Sequence, residues 1–154
     1  MLLTGTFVRA IDEKLRLAIP KRIRDALSAG PQRVLYVAPG TDQSLAIYTE
    51  ESLGQLADRL AAASPAGPDV RAFSRLFYAQ AQPAELDGQG RIRIPPELAQ
   101  LAGLSREAVL LGVQDHLELW DRSRWEAYLA DRQTRYDEIA EAAFTTRATA
   151  DERR

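Results

Sequence analysis

The chain has 154 residues, 45% hydrophobic and 27% charged, which is the size and balance of one ordinary folded domain and excludes disordered and fibrous classes. It has no cysteine and a single histidine, His116, so disulfides, thiolate chemistry and Cys- or His-rich metal sites are excluded, and no metal or other cofactor is expected. The net charge is only −2, yet residues 1–33 hold seven basic side chains against three acidic ones, whereas ten basic residues face fourteen acidic ones from Leu76 onward.

Along the chain, the start from Met1 to Asp12 is briefly apolar but has no basic segment ahead of it. No apolar run approaches the ~18–20 residues of a membrane span, so a soluble, cytoplasmic protein with no membrane partner is expected. Strands are predicted near Leu3–Ala10 and Leu15–Pro20, joined as a hairpin at Asp12. Leu15, Leu17 and Ile19 alternate with Arg16 and Ala18, the period of two of a half-buried strand, which turns the arginine away from the core. Pro20 marks a first helical position and Gly30 a helix end. A second hairpin pairs Val34–Ala38 with Leu45–Tyr48. Thr49, Glu50 and Glu51 then open a helix carrying Leu53, Leu56 and Leu60, which the breaker from Ser64 to Pro68 stops. Asp69 opens another helix, with Val70, Phe73 and Phe77 on one face.

The opening unit returns in the second half. Residues Asp12 to Pro20 recur 75 residues later as Asp87 to Pro95, with the shared pattern D-x-x-x-R-apolar-x-I-P. The same offset pairs Ile23 with Leu98 and Val34-Leu35 with Val109-Leu110. After a loop three residues shorter it becomes 72, matching Leu45 to Tyr48 with Leu117 to Trp120. The second hairpin is predicted near Ala81–Leu86 and Arg91–Pro95, with turn residues Asp87, Gly88, Gln89 and Gly90. A helix follows Pro95 and stops at Gly103; a last helix, capped by Asp121, carries Trp125, Leu129 and Ile139. The predicted organisation is a first unit over 5–52, a helical connector over 53–80, a second unit over 81–124, a C-terminal helix over 125–144 and a disordered tail over 145–154. Four strands and one short helix bury too little alone, so the two units must share a core about a pseudo-twofold axis. His116 is read as an exposed loop residue, and Trp120 and Trp125 as packing residues.

Paired D-x-x-x-R turns followed by apolar-x-I-P, about 75 residues apart, resemble the MraZ family of bacterial transcriptional regulators. The start from Leu2 to Val8, the stretch from Arg71 to Leu76 and the strand from Leu117 to Trp120 add to the resemblance, which spans roughly residues 1–143. Each half resembles the AbrB-type swapped-hairpin DNA-binding module. The resemblance implies an α+β fold of two pseudo-twofold-related AbrB-like β-hairpin and short-helix units sharing one β core, with flanking helices. It also implies a nucleoid-associated ring homo-oligomer, an octamer or a dodecamer, on repeated boxes upstream of the cell-division and cell-wall gene cluster. One position departs from the family pattern: the glycine before the arginine, present at Gly90, is Leu15 in the first copy. A leucine in left-handed backbone there would be strained by about 1 kcal/mol or more.

Within this frame Arg16 and Arg91 are the candidate contacts to double-stranded DNA, because a guanidinium fork grips a phosphate or the acceptor edge of guanine and a two-stranded ribbon enters the major groove. Arg9 and Lys14 stand beside the first, Gln89 and Arg93 beside the second; Lys21, Arg22 and Arg24 are placed to meet flanking phosphates. Asp12 and Asp87 would repel phosphate and are read, with Gly88 and Gly90, as turn structure, accepting backbone N–H groups or pairing with the arginine. The basic first half and acidic second half suit head-to-tail ring closure. An AbrB-type antitoxin, or a structural ring protein without specific DNA readout, is the alternative. No nucleophile with a base, no P-loop and no G-x-G-x-x-G is present, so neither enzymatic activity nor a small-molecule substrate is expected.

Overall fold

The order of elements follows the duplication. The computed structural model describes residues 1–27, 33–63 and 67–152, with the backbone alone for 146–152. The first half holds β1 (Thr6–Ala10), β2 (Arg16–Ala18), α1 (Lys21–Leu27), β3 (Val34–Pro39), β4 (Leu45–Thr49), α2 (Glu50–Ala62) and α3 (Pro68–Gln80). The second holds β5 (Gln82–Glu85), β6 (Arg91–Arg93), α4 (Pro96–Leu101), β7 (Glu107–Val113), β8 (His116–Asp121), α5 (Arg122–Gln133) and α6 (Tyr136–Glu152). The chain divides into two units, Met1–Arg122 and Ser123–Arg154.

In the first unit a six-stranded antiparallel sheet runs β1-β7-β8-β4-β3-β5, and β2 and β6 form a separate ribbon. Both are palindromic under the sequence offsets. Leu17 pairs with Ile92 at the centre of the ribbon, and Ala46 pairs with Glu118 where β4 meets β8. Each is a residue opposite its own repeat equivalent, so the pseudo-twofold axis passes through both places. The backbone agrees: Ile19 N–H donates to the Gly90 carbonyl at 2.9 Å and Ile94 N–H to that of Leu15 at 2.8 Å.

The pairing corrects two predicted hairpins. The arms either side of Asp12 and of Asp87 do not ladder with each other; β1 pairs with β7, β5 with β3, and only a bridge from Ile11 to Leu17 joins the first two arms. An isolated two-stranded hairpin is marginal in water. Exchanging arms between repeats instead places Leu17, Ile19, Ile92 and Ile94 in one buried cluster with Leu35, Ile47, Leu110 and Leu119 of the sheet. Close approach of backbone fixes one more contact. A Cβ added at Gly112 would stand 2.4 Å from the Thr4 backbone nitrogen, beside the bond from Gly112 N–H to the Gly5 carbonyl. Gly112→Ala is therefore expected to lower stability by about 1–3 kcal/mol, read from the midpoint of urea unfolding.

Helix boundaries differ from the predicted ones in small ways. α1 and α4 begin just after Pro20 and Pro95, with Pro95 as the N-cap of α4 and Pro96 at its first position. Gly103 ends α4 in left-handed backbone, φ +60°, and donates to the Gln100 carbonyl; Gly30 lies outside the described residues, as do Ser64, Pro65 and Ala66 of the predicted breaker. Thr49 caps α2, with the Thr49 and Ser52 side chains each meeting the other's backbone N–H, so the helical connector starts at Glu50 rather than at 53. Gly67, not Asp69, is the N-cap of α3. Leu53, Leu56 and Phe77 from these helices pack with Ala38, Ala46 and Tyr48 of the sheet.

Asp121 stands directly before α5, and its Oδ1 accepts the Ser105 backbone N–H at 3.1 Å and hydroxyl at 2.7 Å. The second unit holds two helices where one is predicted, with a break at Thr134 and Arg135. Trp125 stacks on Tyr128 there, ring centroids 5.7 Å apart. α6 continues to Glu152 through a stretch predicted to be disordered, a correction to which its alanine, arginine and glutamate residues contribute while Thr145, Thr146, Thr149 and Asp151 oppose it. No described helix is long and apolar enough to cross a membrane.

Candidate nucleic-acid interface

The two D-x-x-x-R turns have the same construction, donor for donor. Asp12 Oδ1 accepts the backbone N–H groups of Lys14 (3.0 Å) and Arg16 (2.8 Å), and its Oδ2 accepts Arg16 Nε at 2.6 Å. Asp87 does the same with Gln89 (2.8 Å), Arg91 (2.9 Å) and Arg91 Nε (2.9 Å). The backbone N–H of Arg16 first, then its guanidinium, holds the Asp12 carboxyl below its ordinary pKa; the Arg91 N–H does likewise for Asp87. Each aspartate thus orients its arginine through Nε and leaves the terminal fork for another acceptor.

Leu15 and Gly90 occupy the left-handed position of the turns, φ +60° and +75°. Glycine adopts this backbone freely at Gly90, whereas Leu15 bears the strain while packing against the main core. Gly90 has a second reason to lack a side chain. A Cβ there would lie 2.7 Å from the Arg24 guanidinium, which donates from Nε to the Ile19 carbonyl at 3.0 Å. At the offset of 75 the Arg24–Gly90 pair corresponds to Ala99 and Leu15, a large residue exchanged for a small one on each side. That exchange was the available sequence signal for Arg24's position. Gly88, read as a turn glycine, has no positive φ and open space around it, so nothing in the turn requires glycine there.

The ribbon presents the arginines on one face. Leu17 and Ile92 point into the core, so Arg16, Ala18, Arg91 and Arg93 face outward, with Arg16 directly opposite Arg93. Like charges in directly opposed positions repel, which a bound anion would relieve. Lys14 and Gln89 are exposed at the turn tips. Arg9 and Arg22 are brought together elsewhere, at the Phe7 ring, 5.7 and 5.3 Å from its centroid. Arg22 Nη2 also donates to the Thr4 carbonyl at 3.1 Å, while Lys21 pairs loosely with Asp25 at 3.4 Å. Phe7 was not among the candidates that the sequence suggested; its place two residues before Arg9 on β1 puts both on one face.

His116 is not an exposed loop residue. It opens β8, half-buried, stacks on Tyr48 with centroids 5.0 Å apart, and lies between two carboxylates. Glu118, 3.6 Å from Nε2, and Asp115, 2.7 Å from Nδ1, raise its pKa above the ordinary value against the opposing effect of burial. A raised folded pKa contributes stability that is complete below the unfolded value of about 6.5 and is lost as pH climbs through the folded one. From about pH 6 to about pH 9 the melting temperature of the wild type should therefore fall relative to that of His116→Gln. Parallel profiles would contradict this.

The sequence has known relatives. The family model described as "MraZ protein, putative antitoxin-like" matches residues 77–147. The transcriptional regulator MraZ of Nocardia farcinica (strain IFM 10152) is 42% identical over 132 residues, 86% of this chain and 90% of that one. That of Thermomicrobium roseum (strain ATCC 27502 / DSM 5159 / P-2) is 45% identical over 123 residues, 80% and 84% of the two chains. That of Corynebacterium kroppenstedtii is 41% identical over 140 residues, 91% and 95%. With identity of this order across nearly the whole length, and with both arginine turns inside the duplicated fold, the chain belongs to the MraZ family of transcriptional regulators.

Proposed function

We propose that this chain is a sequence-specific DNA-binding regulator that acts in the cytoplasm, on the nucleoid, by occupying repeated boxes upstream of the cell-division and cell-wall gene cluster that includes its own gene. The observation that carries the reading is the outward face of the β2–β6 ribbon, where Arg16, Arg91 and Arg93 stand together with two of the three guanidiniums oriented by aspartates. The arrangement suits a readout surface.

One protomer offers few cationic contacts and carries a net charge of −2, so alone it would bind weakly at physiological salt, where nonspecific affinity is ~10⁻⁴–10⁻⁶ M. Closure of identical subunits into a ring lets neighbouring ribbons engage successive boxes, which raises avidity by ~10²–10⁴ without any new contact. The test is a gel shift with DNA from upstream of the chain's own gene, its boxes intact or scrambled, against wild type and Arg91→Ala. Wild type should prefer the intact boxes and the variant should lose the preference. Equal binding in all four combinations defeats specific readout, and sedimentation of a monomer at low micromolar concentration defeats the ring.

A further inference from the structure

The two repeats offer a duplex unequal ends. At the offset of 75, Arg9, Lys21, Arg22 and Arg24 correspond to Ala84, Pro96, Glu97 and Ala99, so the four cations on and around α1 answer to a single anion around α4. Within the ribbon Arg16 and Arg91 are equivalent about Leu17 and Ile92, while Arg93 answers to Ala18. The surplus is built into the fold: Arg22 is held by the Thr4 carbonyl and the Phe7 ring, Arg9 by the same ring, and Arg24 by the Ile19 carbonyl against Gly90. Two guanidiniums held on one phenylalanine in a half-exposed setting form a ready seat for a phosphate.

We propose that this one-sided group of cations sets the direction in which a protomer lies on its box. The inference rests on the DNA-binding reading above and adds a polarity to it. Arg16 and Arg91, being equivalent, accept an asymmetric box in either sense. The α1 side grips phosphates beyond one edge of the box, where the α4 side, with Pro96 and Glu97, offers no cation and one repelling charge. Every cation that meets a phosphate there also steepens the fall of log K with log salt by about 0.9.

The absence of native cysteine makes the test direct. Glu13 and Gly88 occupy the same position in the two turns, both exposed, and Gly88 has no atom within 4 Å of an added Cβ. Single variants Glu13→Cys and Gly88→Cys, each carrying a DNA-cutting iron–EDTA chelate, are bound to a short duplex holding one box from upstream of the chain's own gene. Each label should cut on its own side of the box centre, the two on opposite sides, with a bias of about tenfold or more. In the exposed charge exchange Lys21→Glu with Glu97→Lys the bias should fall at least threefold. Equal cutting on both sides by labelled but otherwise unaltered protein, with the duplex still bound, overturns the polarity and spares DNA binding. A bias unmoved by the charge exchange overturns the part given to α1, and a duplex left unbound at low salt and ~10⁻⁴ M protein, above the weak single-box affinity, removes the DNA-binding reading and this inference together.

Discussion

Replacing Arg16 and Arg91 together by alanine is expected to abolish preference for the boxes while leaving fold and subunit assembly intact. A good bidentate contact to a base contributes about 1–3 kcal/mol of discrimination, so removing two lowers specific affinity by roughly 30-fold to 10⁴-fold. The cost to stability is much smaller. Both ion pairs are about a third exposed, and pairs in such settings add little to stability. Lysine is the sharper substitution. It keeps the charge and hence contact with phosphates, but has no Nε to give Asp12 or Asp87 and no planar fork to give a base. The double lysine variant should bind boxed and scrambled DNA alike, with the salt dependence of the wild type. A double alanine variant that still prefers the boxes in a competition gel shift would refute the assignment of these arginines.

The largest loss of stability is expected at the centre of the ribbon. Leu17 is wholly buried, pairs with Ile92 on the pseudo-twofold axis and belongs to the main core cluster. Leu17→Ala should cost about 2–5 kcal/mol from reduced burial and the cavity left behind. For a chain of this size that corresponds to a fall of roughly 5–20 °C in melting temperature. Ile92→Ala should cost a similar amount because it fills the equivalent position, and the double variant should depart from the sum of the singles because the side chains touch. Binding should weaken in both, since the ribbon holds Arg16 and Arg91 at a fixed spacing. Thermal unfolding followed by circular dichroism reads the first effect; an unchanged melting temperature in Leu17→Ala would contradict the packing.

Much of this was legible from the residues because the repeat makes each reading twice. The alternation at Leu15 to Ile19 and at Ile92 to Ile94 told which side chains face inward, and it told this correctly. Alternation says nothing about which strand lies alongside, since any partner with a matching apolar face satisfies it. The tight turns at Asp12 and Asp87 favoured a local hairpin, and the exchange of β1 and β5 between repeats was therefore hidden. The capping of α2 was visible because Thr49 and its neighbours act within one turn. The placement of His116 was not: its stacking partner Tyr48 and the Arg59 that meets Asp115 at 3.5 Å come from other elements. Arg9 and Lys14 were grouped with Arg16 by proximity in sequence, yet Arg9 belongs with Arg22 around Phe7, a contact across 15 residues that only the fold creates.

The exchange of arms also dictates an order of events during synthesis. Thr6 finds its ladder partner at Leu111, so β1 leaves the ribosome without that neighbour until the chain has grown by some hundred residues more. At about 5–20 residues per second that is a wait of roughly 5–20 s with an unpaired apolar edge. Neither repeat can finish folding ahead of the other, and a nascent chain stalled before β7 is a natural client for a chaperone.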